Sequence, residues 1–234
     1  MTQEKLLMKA LSMDIITAKM FTELDTSITK AFGKHGQELI FKGLEAYGLK
    51  DAELLAIKAT AEGENHTFYN YLPFEIDGPI QYSELTPFAR FSKMFAYIAK
   101  EVVDFYGEDG QLAVKDAVRI YGEKRGSGIA QRARTNGLPN SVENYLNNYD
   151  MGRSDLFKID TTYKENAIEQ TFRHCPLGQQ WADDNMHEYG ILYCQSIDPA
   201  VAYGYNNNFE VIHDEYVLKE GQCHFIFQMK DKQS

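Results

Sequence analysis

The segment LKEGQCHFIFQ (residues 218–228) decides how the last third of the chain folds. Its Glu-Gly pair predicts a tight turn, and the residues that follow alternate as in a strand, with Cys223, Phe225 and Phe227 on one face. An inward cysteine at the start of a strand has two interpretations. It is either a small buried apolar side chain or a member of a site that includes the other two cysteines of the chain.

Strand and helix patterns surround this segment. Strands are predicted over residues 156–163, 167–174, 209–218 and 222–230, and a helix is predicted over residues 175–187. A further helix is predicted to start at Asp198-Pro199, because aspartate is a good N-cap and proline is tolerated in the first turn. The last two strands should pair as a hairpin.

An internal repeat precedes this region. Shifting the chain by 74 residues aligns positions 18–78 with positions 92–152, and 16 of the 61 pairs are identical. Each copy is predicted to form three helices, with the second helix ending at a Tyr-Gly pair. We therefore expect an α+β fold, in which two related three-helix units precede a small antiparallel-sheet region. The expected divisions are 1–80 for copy one, 81–153 for copy two and 154–234 for the α+β region, the last two forming one domain.

Composition excludes several functions. The chain of 234 residues has 24 basic and 34 acidic residues, a net charge of −10, which argues against nucleic-acid binding. Apolar runs are far shorter than a membrane helix needs, and the N-terminus lacks the pattern of a signal peptide. Three widely spaced cysteines do not form a disulfide framework. We expect a cytoplasmic protein with reduced thiols and no membrane partner; a homo-oligomer is left open.

The copies differ in a basic segment, EKRGSGIAQRAR (123–134), that only copy two contains. Arg125 and Arg132 are seven residues apart and share a helix face. They form either a solvated basic face or an anion clamp, in which Arg125 binds the carboxylate of a substrate through two hydrogen bonds. Tyr145 and Asn206 are further candidate substrate contacts.

The last third of the chain also resembles a known family. The residue order HCP…W…YG…YC…IDPA…GYN…LKEGQCHFIF, with the preceding YGEKRG…AQRAR…G…NYL, resembles the L-2-amino-thiazoline-4-carboxylic acid hydrolase family over about residues 88–229. The resemblance implies a hydrolase that opens a small cyclic carboxylate at a C–N or C–S bond. The cysteine-rich ending is also similar to vinyl-4-reductase-type domains, which implies the alternative of a ligand-binding or sensor domain that has no catalytic activity.

Hydrolysis of such a ring needs a nucleophile or activated water and a proton donor for the leaving atom. The candidates are Cys175, Cys194 and Cys223 as nucleophile, His213 as base and Asp198 as the group that orients the base or donates a proton. His224 should point away from its neighbour Cys223, because adjacent strand residues face opposite sides.

Two alternatives remain for the cysteines. They are simply buried, or they bind zinc together with His213 or Glu215, the favoured ligand set being Cys175, Cys194, Cys223 and Glu215. No close CxxC spacing supports zinc, and phosphate-loop, haem, flavin and nicotinamide motifs are absent from the sequence. The favoured interpretation is a hydrolase without a cofactor, acting on a small molecule.

Overall fold

The computed structural model describes residues 9–72, 84–152 and 154–230. Within these ranges the fold is α+β, with eight α-helices and a four-stranded antiparallel sheet, as the sequence predicts. The helices are α1 (Met13–Tyr47), α2 (Leu49–Ala61), α3 (Pro87–Tyr106), α4 (Glu108–Thr135), α5 (Val142–Tyr145), α6 (Pro176–Asp183), α7 (His187–Tyr205) and α8 (Val217–Glu220). The strands are β1 (Lys158–Tyr163), β2 (Ala167–His174), β3 (Phe209–Glu215) and β4 (Cys223–Met229). None of the described helices combines the length and apolar character needed to cross a membrane.

The chain forms two compact units. The helical unit contains residues 12–118 and 176–193, and the sheet unit contains the described parts of residues 1–11, 119–175 and 194–234. The unit boundaries fall inside α4 and α7, and they differ from the predicted divisions after residues 80 and 153, which follow sequence repetition and not contact density.

The helical unit is built on the packing of α1 against α3. Both helices begin with a side-chain cap: Ser12 Oγ accepts a hydrogen bond from the backbone of α1, and Thr86 Oγ does the same for α3. Gly43 allows close approach of the helices, since a Cβ there would lie 2.6 Å from Ile98 Cα. Trp181 of α6 is fully buried, and its indole N–H donates to Ser92 O at 2.8 Å.

The sheet unit is organised by the order β1-β2-β4-β3, in which every neighbouring pair is antiparallel. Cys223, Phe225 and Phe227 are buried on one face of β4, which confirms the predicted alternation. The predicted hairpin of β3 and β4 is also present. Its connection is one short helix, α8, which ends at Gly221 with φ +82°. Glycine suits this left-handed position because it lacks a Cβ.

Two helix predictions are wrong. No helix starts at Asp198-Pro199, because α7 begins at His187 and continues through the proline. Pro199 removes one backbone hydrogen bond, but buried residues continue on both sides of it at Ile197 and Val201. Copy two also lacks the predicted helix end at Tyr121-Gly122, since α4 is continuous there.

Candidate functional site

Helices α4 and α7 are in backbone contact within the sheet unit. A Cβ added to Gly126 would lie 2.6 Å from Tyr205 N, and one added to Gly122 would lie 2.6 Å from Ala200 Cβ. Gly204 of α7 meets the backbone of α4 in the same way. No larger side chain fits at these positions without displacement. The glycines therefore explain why α4 continues where the repeat predicted an end, and they let polar side chains of the two helices interact.

Arg125 of α4 forms a buried ion pair with Asp150. Its Nε donates to Asp150 Oδ2 at 2.9 Å and its Nη2 donates to Oδ1 at 2.6 Å, and the two side chains are 6% and 4% exposed. The rings of Tyr121 and Tyr149 lie 5.7 and 5.4 Å from the guanidinium carbon. Asp150 thus takes the two hydrogen bonds that the sequence analysis assigned to a substrate carboxylate, so no contact supports Arg125 as that anchor.

The other predicted substrate contacts also have structural partners. Arg132 Nη2 donates to the backbone oxygen of Lys9 at 3.0 Å. The side chain of Asn206 donates to Asn140 O at 2.8 Å and accepts from its near neighbour's backbone N–H, holding the turn between α7 and β3. Tyr145 is buried among aromatic rings of the sheet unit, with its ring centroid 4.9 Å from that of Phe209. Of these residues only Tyr145 contributes to the cluster described next.

Asp198 is the centre of a polar cluster in the sheet unit. Its side chain is 21% exposed, and its carboxyl group has no hydrogen bond with any described residue. Burial raises the pKa of Asp198 to about 7, against a lowering contribution from the positive charge of Arg125. We name the side chains that interact with it the Asp198 cluster: Tyr145, Tyr149, Cys194, His213, Tyr216 and Cys223.

His213 reaches this cluster from β3. It pairs with Phe225 of β4, and a bulge follows, because the next paired residue is Glu215 and Asp214 has no partner in the register. Bulges of this kind redirect side chains and are frequent beside active sites. The ring of His213 packs on those of Phe225 and Tyr216, with centroid distances of 4.0 and 3.9 Å.

Both ring nitrogens of His213 are buried without a hydrogen-bond partner among the described residues. The side chain is 3% exposed, and its Nδ1 lies 3.8 Å from Asp198 Oδ2, which is too long for a hydrogen bond. Burial lowers the pKa of His213 to about 4, which outweighs the opposite influence of nearby backbone carbonyls. At neutral pH the imidazole is therefore uncharged, with one nitrogen able to donate and the other able to accept.

None of the three cysteines forms a disulfide, and Cys194 and Cys223 interact electrostatically with Cys175 and Asp198. Burial raises the pKa of Cys223 to about 12, although its sulfur accepts a hydrogen bond from Val217 N at 3.2 Å. Burial also raises the pKa of Cys194 well above its usual value. A thiol attacks as the thiolate, so these surroundings favour protonated, inert thiols at both positions.

The zinc alternative finds no matching geometry. Within residues 9–72, 84–152 and 154–230, no group of three His, Cys, Asp or Glu side chains has the spacing to hold a metal ion. Glu215 instead accepts a hydrogen bond from Gln222 Nε2 at 2.6 Å. The predicted ligand set of Cys175, Cys194, Cys223 and Glu215 therefore does not form a cage in this structure.

The sequence analysis missed Asp150 as the partner of Arg125, and Tyr149, Tyr216 and Phe225 as neighbours of the reactive groups. Asp150 lies 25 residues from Arg125 along the chain, and no spacing rule connects an aspartate in a short-turn segment with a helical arginine. The sequence around Asp214 also contains no pattern that predicts the bulge. Alternation did predict that Phe225 shares the inner face with Cys223.

The outer face of the sheet carries a second histidine, His224. Its Nδ1 lies 2.7 Å from Asp214 Oδ1 and its Nε2 lies 3.0 Å from Glu169 Oε1. Hydrogen bonds to these two carboxylates, Asp214 first, raise the pKa of His224. Its side chain faces away from that of Cys223, as predicted, so it is not available to activate the thiol.

Comparison with known proteins places the chain in a family. No curated protein matches it. A solved structure described as "Probing the function of heme distortion in the H-NOX family" aligns with 93% of this chain and 97% of its own, at 10% identity and a TM-score of 0.42. The sequence profile described as L-2-amino-thiazoline-4-carboxylic acid hydrolase matches residues 87–227, more than half of the chain. The chain belongs to the L-2-amino-thiazoline-4-carboxylic acid hydrolase family.

Proposed function

We propose that the protein hydrolyses a small carboxylate-bearing cyclic substrate of the thiazoline-carboxylate type, with Asp198 and His213 as its acid–base groups. Family membership supports the class of reaction. One observation carries the choice of residues: a carboxyl group that is 21% exposed and has a pKa near 7 lies 3.8 Å from a buried imidazole whose two nitrogens have no partner among the described residues. Perturbed groups that face one another are typical of catalytic sites.

Asp198 suits a role in proton transfer. With a pKa of about 7, its carboxyl group is divided between its charged and neutral forms at neutral pH. A group of this kind can accept a proton from an attacking water and later return it, and a matched pKa makes both transfers efficient. A solvent-exposed aspartate would be too weak a base for the first transfer at this pH.

His213 suits a role beside Asp198 as a neutral partner. The gap between Nδ1 and Asp198 Oδ2 is too long for a direct hydrogen bond, so both groups can contact a third atom, such as the oxygen of a water. Because its pKa is about 4, the ring does not compete with Asp198 for the proton near neutral pH. It can orient the water and stabilise the adduct through its N–H.

The proposed reaction adds water to the ring carbon that is bonded to both nitrogen and sulfur. The water oxygen forms a bond to this carbon while Asp198 accepts one of its protons. The electron pair of the C=N double bond moves to its nitrogen, which takes up that proton. The ring C–N or C–S bond then breaks as the new C–O bond becomes a carbonyl, and the hydroxyl proton of the adduct passes through Asp198 to the leaving atom. The product is the open-chain form, which contains the atoms of one water, and the enzyme returns to its starting state.

The cysteines provide a competing mechanism in which a thiolate attacks the ring carbon. The raised pKa values of Cys194 and Cys223 count against it at these two positions. Replacing each candidate separately distinguishes the mechanisms: Cys194→Ser removes a thiol, whereas Asp198→Asn removes the base and preserves the size of the side chain.

The experiment is a turnover assay with L-2-amino-thiazoline-4-carboxylate, in which ring opening is followed by mass spectrometry of the product. We expect hydrolysis by the natural protein, a loss of about 100-fold or more in kcat/KM for Asp198→Asn and a much smaller loss for Cys194→Ser. Asp160→Asn is the control, because that carboxylate is exposed and pairs with Arg173 on the sheet edge. Full activity of Asp198→Asn would refute the assignment, and tight binding without turnover would instead support the ligand-binding alternative.

A further inference from the structure

The Asp198 cluster contains two polar side chains without hydrogen-bond partners among the described residues. One is the carboxyl group of Asp198, which is 21% exposed. The other is the imidazole of His213, which is 97% buried and has both nitrogens unpaired among the described residues, beside the backbone carbonyls of Cys194 and Glu215. A buried polar group is nearly always hydrogen-bonded, since leaving it unpaired is unfavourable. An unpaired imidazole that faces a partly open carboxyl group favours a ligand that bonds to both.

The hydrogen-bonding capacity of the two groups limits what the ligand can be. An ionised carboxylate accepts hydrogen bonds at two oxygens and donates none, so a ligand must present N–H or O–H groups to Asp198. A neutral imidazole adds one donor and one acceptor. The ligand end that enters the cluster therefore donates at least two hydrogen bonds and has an atom that can accept one.

The charges of the cluster favour the same kind of ligand. Arg125 is the cation that acts on Asp198, and its guanidinium is already neutralised by Asp150 through two hydrogen bonds. A substrate carboxylate placed beside Asp198 would meet a second carboxyl group, and Arg125, the cation that acts on Asp198, already pairs with Asp150. A neutral or positively charged N–H donor meets no such repulsion.

The shape of the surroundings favours a planar group. The rings of Phe225 and Tyr216 cover the imidazole of His213, which leaves the edge that carries its nitrogens for the ligand. Tyr145 and Tyr149 add further flat side chains around Asp198. Flat ligands with donors at their edge fill such surroundings best.

We infer that the Asp198 cluster binds the amidine end of the substrate, the N–C–N group of a 2-amino-thiazoline. The carboxylate of Asp198 accepts one N–H hydrogen bond from each of the two nitrogens. The inference rests on the proposed function and deepens it, because it identifies which end of the substrate meets the reactive groups. The amidine carbon is then held beside the atoms that would activate water. The substrate carboxylate points away from Asp198.

Isothermal titration calorimetry with two fragments tests this inference on the unaltered protein. One fragment, 2-amino-2-thiazoline, has the amidine but no carboxylate, and the other, thiazolidine-4-carboxylate, has the carboxylate but no amidine. We expect the amidine fragment to bind at least about 30-fold more tightly, as the loss of hydrogen bonds to buried polar groups implies. Equal affinities, or tighter binding of the carboxylate fragment, would overturn the inference.

A pair of variants sharpens the test. Asp198→Asn keeps the shape of the side chain but replaces one acceptor with a donor, so it should weaken the amidine fragment about 30-fold or more. Asp160→Asn on the exposed sheet edge should leave its affinity unchanged. Unchanged affinity in Asp198→Asn would contradict the assignment of Asp198 as the amidine-binding group.

The turnover assay tests the proposed function and the calorimetry tests the inference, so each can be contradicted without the other. If the amidine fragment binds selectively but the full substrate is not hydrolysed, the proposed function falls and the inference stands. If the substrate is hydrolysed but the carboxylate fragment binds as well as the amidine fragment, the proposed function stands and the inference falls.

Discussion

Two His–Asp pairs lie at the neighbouring strands β3 and β4 and differ in distance, hydrogen bonding and pKa. His213 of β3 faces Asp198 of α7, and His224 of β4 pairs with Asp214 of β3. In the inner pair, His213 and Asp198 are 3.8 Å apart, His213 has no hydrogen-bond partner among the described residues, and burial lowers its pKa to about 4. In the outer pair, His224 and Asp214 are 2.7 Å apart, and hydrogen bonds to carboxylates raise the histidine pKa.

The difference shows that proximity of histidine and aspartate does not by itself indicate a site. The outer pair satisfies its own polar groups, and its aspartate is 52% exposed, so it behaves as a surface ion pair. The inner pair leaves its polar groups open and moves the carboxyl pKa upward and the imidazole pKa downward. Groups whose environments perturb their pKa values in this way are candidates for acid–base work.

The largest effect on kcat/KM should be seen when each of the two histidines is replaced by asparagine in a separate variant. His213→Asn should lower kcat/KM by about 100-fold, because the inner pair loses a neutral group that contacts the reacting water. His224→Asn should change it by less than about twofold, as its side chain lies on the outer face. The turnover assay on both variants gives the ratio of their kcat/KM values. Similar losses in the two would remove the distinction between the pairs.

The pH dependence of turnover should follow the inner carboxyl group. The base must be ionised, so kcat/KM of the natural protein should rise with pH and level off above about 7, the pKa of Asp198. The titratable or charged side chains around it are Arg125, Tyr145, Tyr149, Cys194, His213, Tyr216 and Cys223. A rate profile from pH 5 to 9 tests this. A plateau already reached at pH 5 would exclude Asp198 as the base.

Ionisation of Asp198 should lower folding stability as the pH rises, whereas it should increase turnover. The folded state holds the proton of this carboxyl group up to about pH 7, whereas the unfolded chain loses it near 3.9, so folding stability falls as pH rises between these values. Asp198→Asn removes this penalty and should stabilise the protein at pH 8 by on the order of 2–4 kcal/mol.

Urea unfolding of both proteins at pH 8 and pH 4 measures this change. At pH 4 the gain should nearly vanish, because the carboxyl group is protonated in the folded state and about half protonated in the unfolded chain. A variant that gains stability and loses activity would identify Asp198 as a residue kept for function at the expense of folding. A loss of stability at pH 8 would show that the carboxyl group is well solvated or paired.

The outer pair should give the smallest effect. A histidine whose pKa is raised on folding stabilises the protein fully below its unfolded value of about 6.5, and this contribution is lost as pH rises through the folded pKa. His224→Gln should therefore lower the melting temperature by about 1–3 °C at pH 5.5 and by less at pH 9. Thermal unfolding at both pH values checks this. An equal change at both would mean that packing, not charge, is lost.

Several features of this arrangement were predictable from the sequence. Alternation around the Glu-Gly turn placed Cys223, Phe225 and Phe227 inward. Strand periodicity and residue chemistry suffice for such conclusions. Of the predicted site residues, His213 and Asp198 lie 3.8 Å apart, and Cys194 and Cys223 interact electrostatically with Asp198. Their catalytic roles stay predictions. Periodicity and residue chemistry do not determine distances, so the 3.8 Å gap of the inner pair could not be foreseen.

Other features depend on tertiary packing. The pairing of Arg125 with Asp150 needs α4 and the segment after it to meet, and the continuity of α4 and α7 needs the glycine contacts between them. Local rules predicted a helix end at Tyr121-Gly122 and a helix start at Asp198-Pro199, and packing overrode both. Copy one carries Asp51 where copy two carries Arg125, so the repeat gave no guide to the ion pair.

The duplication itself remains a hypothesis with geometric support. Gly33 and Gly107, which the 74-residue shift aligns, both have φ +58° at a break between helical segments. Phe32 and Tyr106, also aligned, stack on one another with their ring centroids 3.7 Å apart. A break at each of the two aligned glycines, and a contact between the two aligned aromatic rings, are consistent with a duplicated helical segment.

We expect the carboxyl group of Asp198 to titrate near neutral pH because it lies largely out of water and has no hydrogen-bond partner among the described residues. NMR titration of ¹³C-labelled aspartate side chains tests it most directly, with the Asp198 signal assigned from the Asp198→Asn variant. A midpoint near pH 7 for Asp198 is the predicted result, alongside a lowered value for Asp214, whose hydrogen bond to His224 favours its charged form. A midpoint for Asp198 below about 5, in the ordinary range of aspartate, would contradict the account.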